Sequence, residues 1–381
     1  MVFLLSSQNV FSYLIQQGIC QSHESEPIRI KPKERKNFNL LVSFPQNRHL
    51  LVKQERYDSE GETDGEFWSE WLIQQLVKEF TPLQPLSNLI PQIVDFDPQH
   101  AIIVGNYLTD YCDLADFYNQ QRIFPVAIAT AIGTTVATIH RHTLDNQQYK
   151  EFLAQENDFD EAPNFAYKLE RIRPEVFGVL RTDALEFFRL YQRYQSLADA
   201  IAQLNETWQG SCLIHNDLRL SNILLSLDWE TTSQPKNAII RLIDWEKFTW
   251  GDPAFDLGTI IAGYLKLWLK SLVISPGVDL STALGLATTP LETLQPSICA
   301  LTKAYVQEFP TIIKKRPLFL EQSLQFAGLV LLEKIVIRLQ YHQPFNNQSI
   351  GMLQVAKKLL CHPGQSVNII LRENISEVIE D

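Results

Sequence analysis

Ile214-His215-Asn216-Asp217-Leu218-Arg219-Leu220-Ser221-Asn222 is the stretch on which the reading of this chain turns. It puts a carboxylate, Asp217, and a side-chain amide, Asn222, on what the sequence predicts to be one tight loop. Downstream, Leu242-Ile243-Asp244-Trp245-Glu246 places a second carboxylate at the end of an apolar run that reads as a strand. Between the two, Ile223-Leu224-Leu225 and Ile239-Ile240-Arg241-Leu242-Ile243 flank a polar segment at 226–237. That pattern predicts an extended β-hairpin carrying Asn222 and Asp244 at its two ends.

Working outward, Val10-Phe11-Ser12-Tyr13-Leu14-Ile15 reads as an N-capped amphipathic helix ending at Gly18. It does not read as a signal peptide, because no Lys or Arg precedes Val2-Phe3-Leu4-Leu5 and Ser6-Ser7-Gln8-Asn9 interrupts the apolar run. Residues 28–31, 38–44 and 49–53 predict three short strands separated by polar turns. Over 66–80, Trp68, Trp71, Leu72, Leu76 and Phe80 recur at helical spacing, and Thr63-x-x-Glu66 reads as a capping box at the start of that helix. Ala101-Ile102-Ile103-Val104 predicts a buried strand leading into a hinge at Gly105-Asn106-Tyr107-Leu108. Asp113-Leu114 then opens a helical region, with helices expected over 125–142, 183–204, 255–269 and 318–341. Residues 155–163 and 275–296 are expected loops.

The chain has 381 residues, 45% of them hydrophobic, and a formal net charge of −11. That is enough apolar material for two lobes with separate cores. The negative charge works against a broad polyanion-binding surface, so no nucleic-acid partner is expected, whereas a neutral or cationic small molecule is compatible. Cys20, Cys112, Cys212, Cys299 and Cys361 lack C-x-x-C spacing and read as reduced structural thiols. No stretch approaches the roughly twenty uninterrupted apolar residues of a membrane span. The expectation is a cytoplasmic protein with no membrane partner.

Chemically, Asp217, Asn222 and Asp244 are what metal-assisted phosphoryl transfer requires, and the prediction is that they converge on a nucleotide and its Mg2+. Taken in order, Lys53, Gly105-Asn106-Tyr107-Leu108, His215 to Asn222 and Ile243-Asp244-Trp245-Glu246 resemble the aminoglycoside phosphotransferase and choline kinase group. Gly251-Asp252-Pro253-Ala254-Phe255-Asp256-Leu257 and Thr138-Ile139-His140 extend the resemblance, which covers roughly residues 5–345. It implies an α+β, bilobal protein-kinase-like fold. The N-lobe (1–106) would hold a small antiparallel sheet plus a helix, and a larger α-helical C-lobe (107–381) the catalytic loop, metal site and acceptor site.

The resemblance also implies roles. Asp217 would accept a hydrogen bond from the acceptor hydroxyl and orient its oxygen, and His215 would hold the loop. Asn222 and Asp244 would supply oxygen ligands to Mg2+. Lys53 would meet the α- and β-phosphates of ATP, with GTP an open alternative, and Tyr107 and Leu108 would lie by the adenine. Glu66 and Glu70 compete as the partner of Lys53; the capping box occupies Glu66, which favours Glu70. Asp256 resembles the family aspartate that braces the catalytic loop, with helix capping as its other reading. Arg219 is open between phosphate and acceptor, and Glu246 between the metal's surroundings and the surface.

One departure is the segment Lys33-Glu34-Arg35-Lys36-Asn37-Phe38-Asn39, which stands where a phosphate-cradling turn belongs and contains no glycine. The implied activity is ATP-dependent, Mg-assisted transfer of the γ-phosphate to a hydroxyl of a small-molecule acceptor. The acidic trio Asp158, Asp160 and Glu161 is compatible with attraction of a cationic acceptor or with a solvated loop. The alternative function is a nucleotide-binding pseudokinase acting as scaffold or regulator.

Overall fold

The computed structural model describes residues 3–21, 27, 29–34, 37–154, 182–231, 238–273, 278, 280–341 and 343–371. Alternation along His49-Leu50-Leu51-Val52-Lys53-Gln54 sets its first sheet. β1 (Arg29–Glu34), β2 (Phe38–Ser43), β3 (His49–Gln54), β4 (Ile93–Asp97) and β5 (Ile102–Asn106) form one antiparallel sheet in the order β1-β2-β3-β5-β4. Leu50 and Val52 join Leu40, Val42, Ile102 and Val104 in a core with Val10, Tyr13 and Leu14 of α1 (Val10–Gln16). Ile103, paired in register with Lys53, packs instead with Ile93 and with Phe67 of α2 (Glu66–Glu79). Slipping β3 by one residue would exchange the two faces and drive Lys53 into the α1 core, so the apolar pattern fixes the register.

Both helix starts differ from expectation. Asn9 precedes α1, but its side chain accepts from Ser6 N at 2.7 Å and makes no bond to the helix itself. Gly18 does end the turn, at φ 71°, with Ile19 N donating to Leu14 O at 2.9 Å. At α2 the Thr63–Glu66 capping box is replaced: Gly65 precedes the helix, and the buried Glu55 accepts from Gly65 N at 2.9 Å and Phe67 N at 2.6 Å. A carboxylate arriving from just beyond β3 satisfies the orphan N–H groups that the local box was expected to serve.

The remaining strands are β6 (Tyr111–Asp113), β7 (Cys212–Ile214), β8 (Ile223–Ser226), β9 (Ile240–Leu242) and β10 (Thr249–Gly251). A three-stranded sheet runs β6-β8-β9, and β7 pairs with β10. Two compact units result: Met1–Leu114 with Asn222–Phe248, and Ala115–Ser221 with Thr249–Asp381. Where the sequence reading divides the chain once, after 106, these units are discontinuous. β8 pairs with β6, and Leu242 N donates to Leu89 O at 2.8 Å, which draws the hairpin into the first unit.

Helices dominate the second unit: α3 (Leu114–Gln121), α4 (Val126–Thr143), α5 (Gln147–Leu153), α6 (Thr182–Gln192), α7 (Gln195–Glu206), α8 (Pro253–Lys270), α9 (Leu280–Gly285), α10 (Leu291–Glu308), α11 (Pro310–Lys315), α12 (Phe319–Gln340), α13 (Asn347–Cys361) and α14 (Pro363–Leu371). The helix expected over 183–204 is two helices. On one continuous helix the buried set Leu197, Ile201 and Leu204 would be rotated away from Phe187 and Tyr191, and the break at Tyr194 lets both faces pack. The loop expected over 275–296 contains α9 and the start of α10. Pro296 is tolerated there because Leu294, Ile298, Leu301 and Tyr305 bury one continuous face. Residues 274–277 and 279, and the expected loop at 155–163, lie outside the described residues.

All five cysteines are free thiols. Among the described residues no helix is long and apolar enough to cross a membrane.

Close packing of α8 on α12 depends on Gly258. A Cβ there would fall on the Ser323 carbonyl oxygen and 2.8 Å from Phe326 Cβ. Because backbone stands in the way, Gly258→Ala is expected to destabilise the protein by about 1–3 kcal/mol in chemical denaturation. An unchanged midpoint would show that the two helices separate freely.

Candidate active site

In the first unit β3 delivers Lys53 to the α2 side. Its Nζ lies 3.1 Å from Glu70 Oε2 and 3.0 Å from Asp244 Oδ1. Burial opposes the ammonium charge, but Glu70 and Asp244 outweigh it and hold the pKa above the lysine range. The folded value exceeds the unfolded one, so this stabilisation is complete below the ordinary lysine pKa of about 10.4 and fades only above it. Glu66, at the first position of α2, instead accepts from Asn37 Nδ2 at 3.4 Å.

Asn222 and Asp244 come to the same end of the β8–β9 hairpin. Ile223 pairs with Leu242, and Ile243 N donates to Asn222 O at 2.9 Å. Asp244 has φ 62°, a left-handed conformation that costs a non-glycine residue about 1 kcal/mol or more and recurs at functional sites. The following turn is fixed by buried Trp245, whose Nε1 donates to Leu242 O at 2.9 Å. Residues 232–237 of the expected hairpin turn are outside the described residues.

Glu246 belongs to the same cluster. Burial first, then the Glu66 and Asp244 carboxylates, push its carboxyl up to about 7, with Lys53 opposing. Glu66, Glu70, Asp244 and Glu246 therefore outnumber the one lysine. Among the described residues no group of three or more His, Cys, Asp and Glu is arranged as a complete metal cage. Excess negative charge with an amide and a carboxylate oxygen fits a hard divalent cation that shares its coordination with substrate oxygens.

Tyr107 follows β5, its N donating to His49 O at 2.9 Å. Its hydroxyl accepts from Lys33 Nζ at 2.7 Å, and that ammonium lies 4.2 Å from its ring centroid. Lys33, expected in the glycine-free turn, thus belongs to β1, and the turn shortens to 35–37, of which Arg35 and Lys36 are outside the described residues. Leu108 is half-buried.

The second unit holds the other half of the motif. β7 ends at Ile214, and His215 N and Asn216 N donate to Asp256 Oδ2 and Oδ1 at 2.7 and 3.0 Å. Asn216 takes φ 62°, which asparagine tolerates better than most residues. His140 Nε2 is 3.2 Å from Asp256 Oδ2, and its Nδ1 is 2.7 Å from the Tyr305 hydroxyl. Helix capping of α8 falls to Asp252, which accepts from Ala254 N at 2.9 Å and holds Arg316 through both oxygens at 2.7 and 2.8 Å. Asp256 is thereby left to brace the loop. Asp217 projects beyond that brace, and Arg219 Nη2 donates to its Oδ2 at 2.8 Å.

Lys53, Glu70 and Asp244 are brought together in the first unit, with Asn222 adjoining; His215 and Asp217 share the braced loop of the second. The chain crosses between units after Ser221. Sequence reasoning missed Glu55 and Arg316 and gave His140 no role beyond the resemblance; their partners lie 10 to 165 residues away along the chain. Only Asp252, immediately before Pro253, carried a local signal, that of a helix cap followed by proline.

A sequence model of the phosphotransferase enzyme family matches residues 46–286. None of the curated proteins matches the chain. Among solved structures, the ADP-bound aminoglycoside phosphotransferase APH(2'')-Ib is similar at 14% identity and a TM-score of 0.52, covering 93% of this chain and 99% of that one. A mutant aminoglycoside 2'-phosphotransferase-IIIa with GDP matches at 13% identity and 0.51, over 96% and 99%. The streptomycin–ATP–APH(2'')-IIa complex matches at 16% and 0.50, over 94% and 99%. At these identities the likeness concerns the fold, and it is the kinase-like α+β fold expected above.

Proposed function

The chain belongs to the phosphotransferase enzyme family, and from that premise we propose that it transfers the γ-phosphoryl group of ATP to a hydroxyl of a small-molecule acceptor with Mg2+ bound. The observation that carries this reading is the Lys53 ammonium held between Glu70 and Asp244, with Asn222 at the same hairpin end. Asn222 and Asp244 would hold the Mg2+, which supplies charge neutralisation at the phosphates.

The chain's own residues do the positioning. Lys53 binds the α- and β-phosphates, and the Glu70 carboxylate keeps it aimed. Asp217 accepts the hydrogen bond of the acceptor hydroxyl and presents its oxygen to the γ-phosphorus. A new O–P bond forms as the bond from the γ-phosphorus to the bridging oxygen breaks; ADP departs, and the hydroxyl proton passes to Asp217 and then to water. Such transfer depends on alignment more than on a strong base, so an ordinary carboxylate suffices. The Asp256 brace fixes the loop from which Asp217 acts.

Lys53→Met is expected to raise the KM for ATP about tenfold to a hundredfold, matching the loss of charge-assisted hydrogen bonds of about 1.5–3 kcal/mol. A steady-state titration of ATP checks this, and an unchanged KM would remove Lys53 from the phosphate site. The function itself is tested by incubating purified protein with a metabolite extract, Mg2+ and γ-labelled ATP, with GTP as a competing donor, and finding labelled products by mass spectrometry. Label in a product of the native protein and none with Asp217→Ala is the expected result. If native protein labels nothing, the phosphotransferase reading is overturned.

A further inference from the structure

The second unit gathers positive charge beside Asp217, although the chain as a whole carries −11. Arg219 sits on the loop, bonded to Asp217 through Nη2, while its Nε is buried without a hydrogen-bond partner. The loop lies against α8 at Gly263, where a Cβ would meet Leu220 Cγ at 3.0 Å. Lys266 and Lys270 follow Gly263 on the same stripe of that helix. On α12, Lys334 and Arg338 are likewise one turn apart. Arg338 is tied to the end of α8: its Nη1 donates to Gln348 Oε1 at 2.6 Å, and Gln348 Nε2 donates to Leu269 O at 3.2 Å. Its own Nε is also buried and unpartnered.

Folding alone does not account for Lys266. Lys270 and Arg338 stand in the last turns of their helices, where the dipole favours cations. Lys266 stands a turn earlier, out of that reach, and makes a repulsive i,i+4 pair with Lys270. Half-buried Lys266 is pushed down to about 8 by burial, and then by Lys270, Lys334 and Arg219, all of them cations. A site that concentrates partly dehydrated cations against its own stability is complementary to an anion.

We propose that Arg219, Lys266, Lys270, Lys334 and Arg338 form an anion-recognising part of the acceptor site, so that the hydroxyl phosphorylated belongs to a small molecule already bearing a phosphate or carboxylate. The inference rests on the phosphotransferase reading and narrows its substrate class. It differs from the neutral or cationic acceptor with which whole-chain charge is compatible. A net charge acts over the screening distance of about 8–10 Å and beyond only weakly, whereas these five groups act at contact. The trio Asp158, Asp160 and Glu161, compatible with a cationic acceptor or a solvated loop, lies outside the described residues. The anion falls to the acceptor and not to ATP because the cluster joins, through Arg219, the carboxylate assigned to the hydroxyl, while Lys53 serves the nucleotide.

The test uses the full chain, Lys266→Met and Lys334→Met. In a binding arm without nucleotide, glycerol 3-phosphate and gluconate are titrated by calorimetry at fixed ionic strength, which separates phosphate from carboxylate recognition. In a turnover arm, the products labelled from extract are sorted by charge and the KM values of acceptor and ATP are measured. The expected result is binding of at least one probe, a labelled product with an anionic group besides the new phosphate, and an acceptor KM raised about tenfold in each variant at unchanged ATP KM. Lys266→Met removes a like charge and should not lower the melting temperature, so its loss of acceptor binding cannot be misfolding.

Labelling confined to cationic or neutral acceptors, with both variants unaffected, overturns the anionic class and leaves the phosphotransferase reading standing. A raised ATP KM at unchanged acceptor KM overturns it too, by assigning the cluster to nucleotide phosphates. Failure of the native protein to label anything removes the phosphotransferase reading and this inference with it.

Discussion

Asp217→Ala is expected to lower kcat for phosphoryl transfer by about 10²–10⁴-fold while leaving nucleotide affinity nearly unchanged. The loss concerns alignment: without the carboxylate the acceptor oxygen has no acceptor for its proton and no group to hold it in line with the γ-phosphorus. The substitution also releases Arg219, which donates to Asp217 Oδ2 at 2.8 Å. Asp217→Asn separates the two effects. It keeps an oxygen for Arg219 but loses the negative charge, so kcat should fall almost as far as in the alanine variant. A fall of less than about tenfold in Asp217→Ala would be worth under 1.4 kcal/mol, too little for the residue that orients the nucleophile.

Asp256→Ala is expected to cost about 3–5 kcal/mol of stability and to abolish activity together with it. Its carboxylate is 1% exposed and accepts from His215 N and Asn216 N, with His140 Nε2 against the same group. Alanine leaves two N–H groups of the catalytic loop and a buried imidazole without their acceptor, each a desolvation penalty of about 1–3 kcal/mol. Chemical denaturation measures the loss, with the slope checked for a change in cooperativity. If stability fell by less than about 1 kcal/mol, Asp256 would be no more than an acid in the first turn of α8, interacting with its dipole.

Much of the fold was legible because its signals are local. Short apolar or alternating runs at 28–31, 38–44 and 49–53 between polar turns mark the first three strands of the five-stranded sheet. Recurrence of Trp68, Trp71, Leu72, Leu76 and Phe80 marks α2, although of these only Leu72 and Leu76 are buried, beside Phe67, Ile73 and Val77. Where a competing contact came from a distance, local reading failed. Glu55 displaced the Thr63–Glu66 box, and tertiary burial of Leu197, Ile201 and Leu204 split a helix that pattern alone would continue. That 222–248 returns to the first unit was unreadable for the same reason, since β8 and β9 join it through β6 and Leu89.

The sequence by itself determined the chemical inventory: Asp217, Asn222 and Asp244 in that order, Lys53 on a strand ahead of an amphipathic helix, and Asp256 just inside a capped one. Identity and order are properties of the chain and need no coordinates. Only the tertiary structure decided that Lys53 pairs with both Glu70 and Asp244, that Asp256 holds the loop while Asp252 caps, and that basic residues of α8 and α12 collect beside Arg219. Apart from the Asp252 cap, which is local, these are contacts between positions from 17 to 191 residues apart, and no spacing along a helix or strand encodes which side chains meet when separate elements pack.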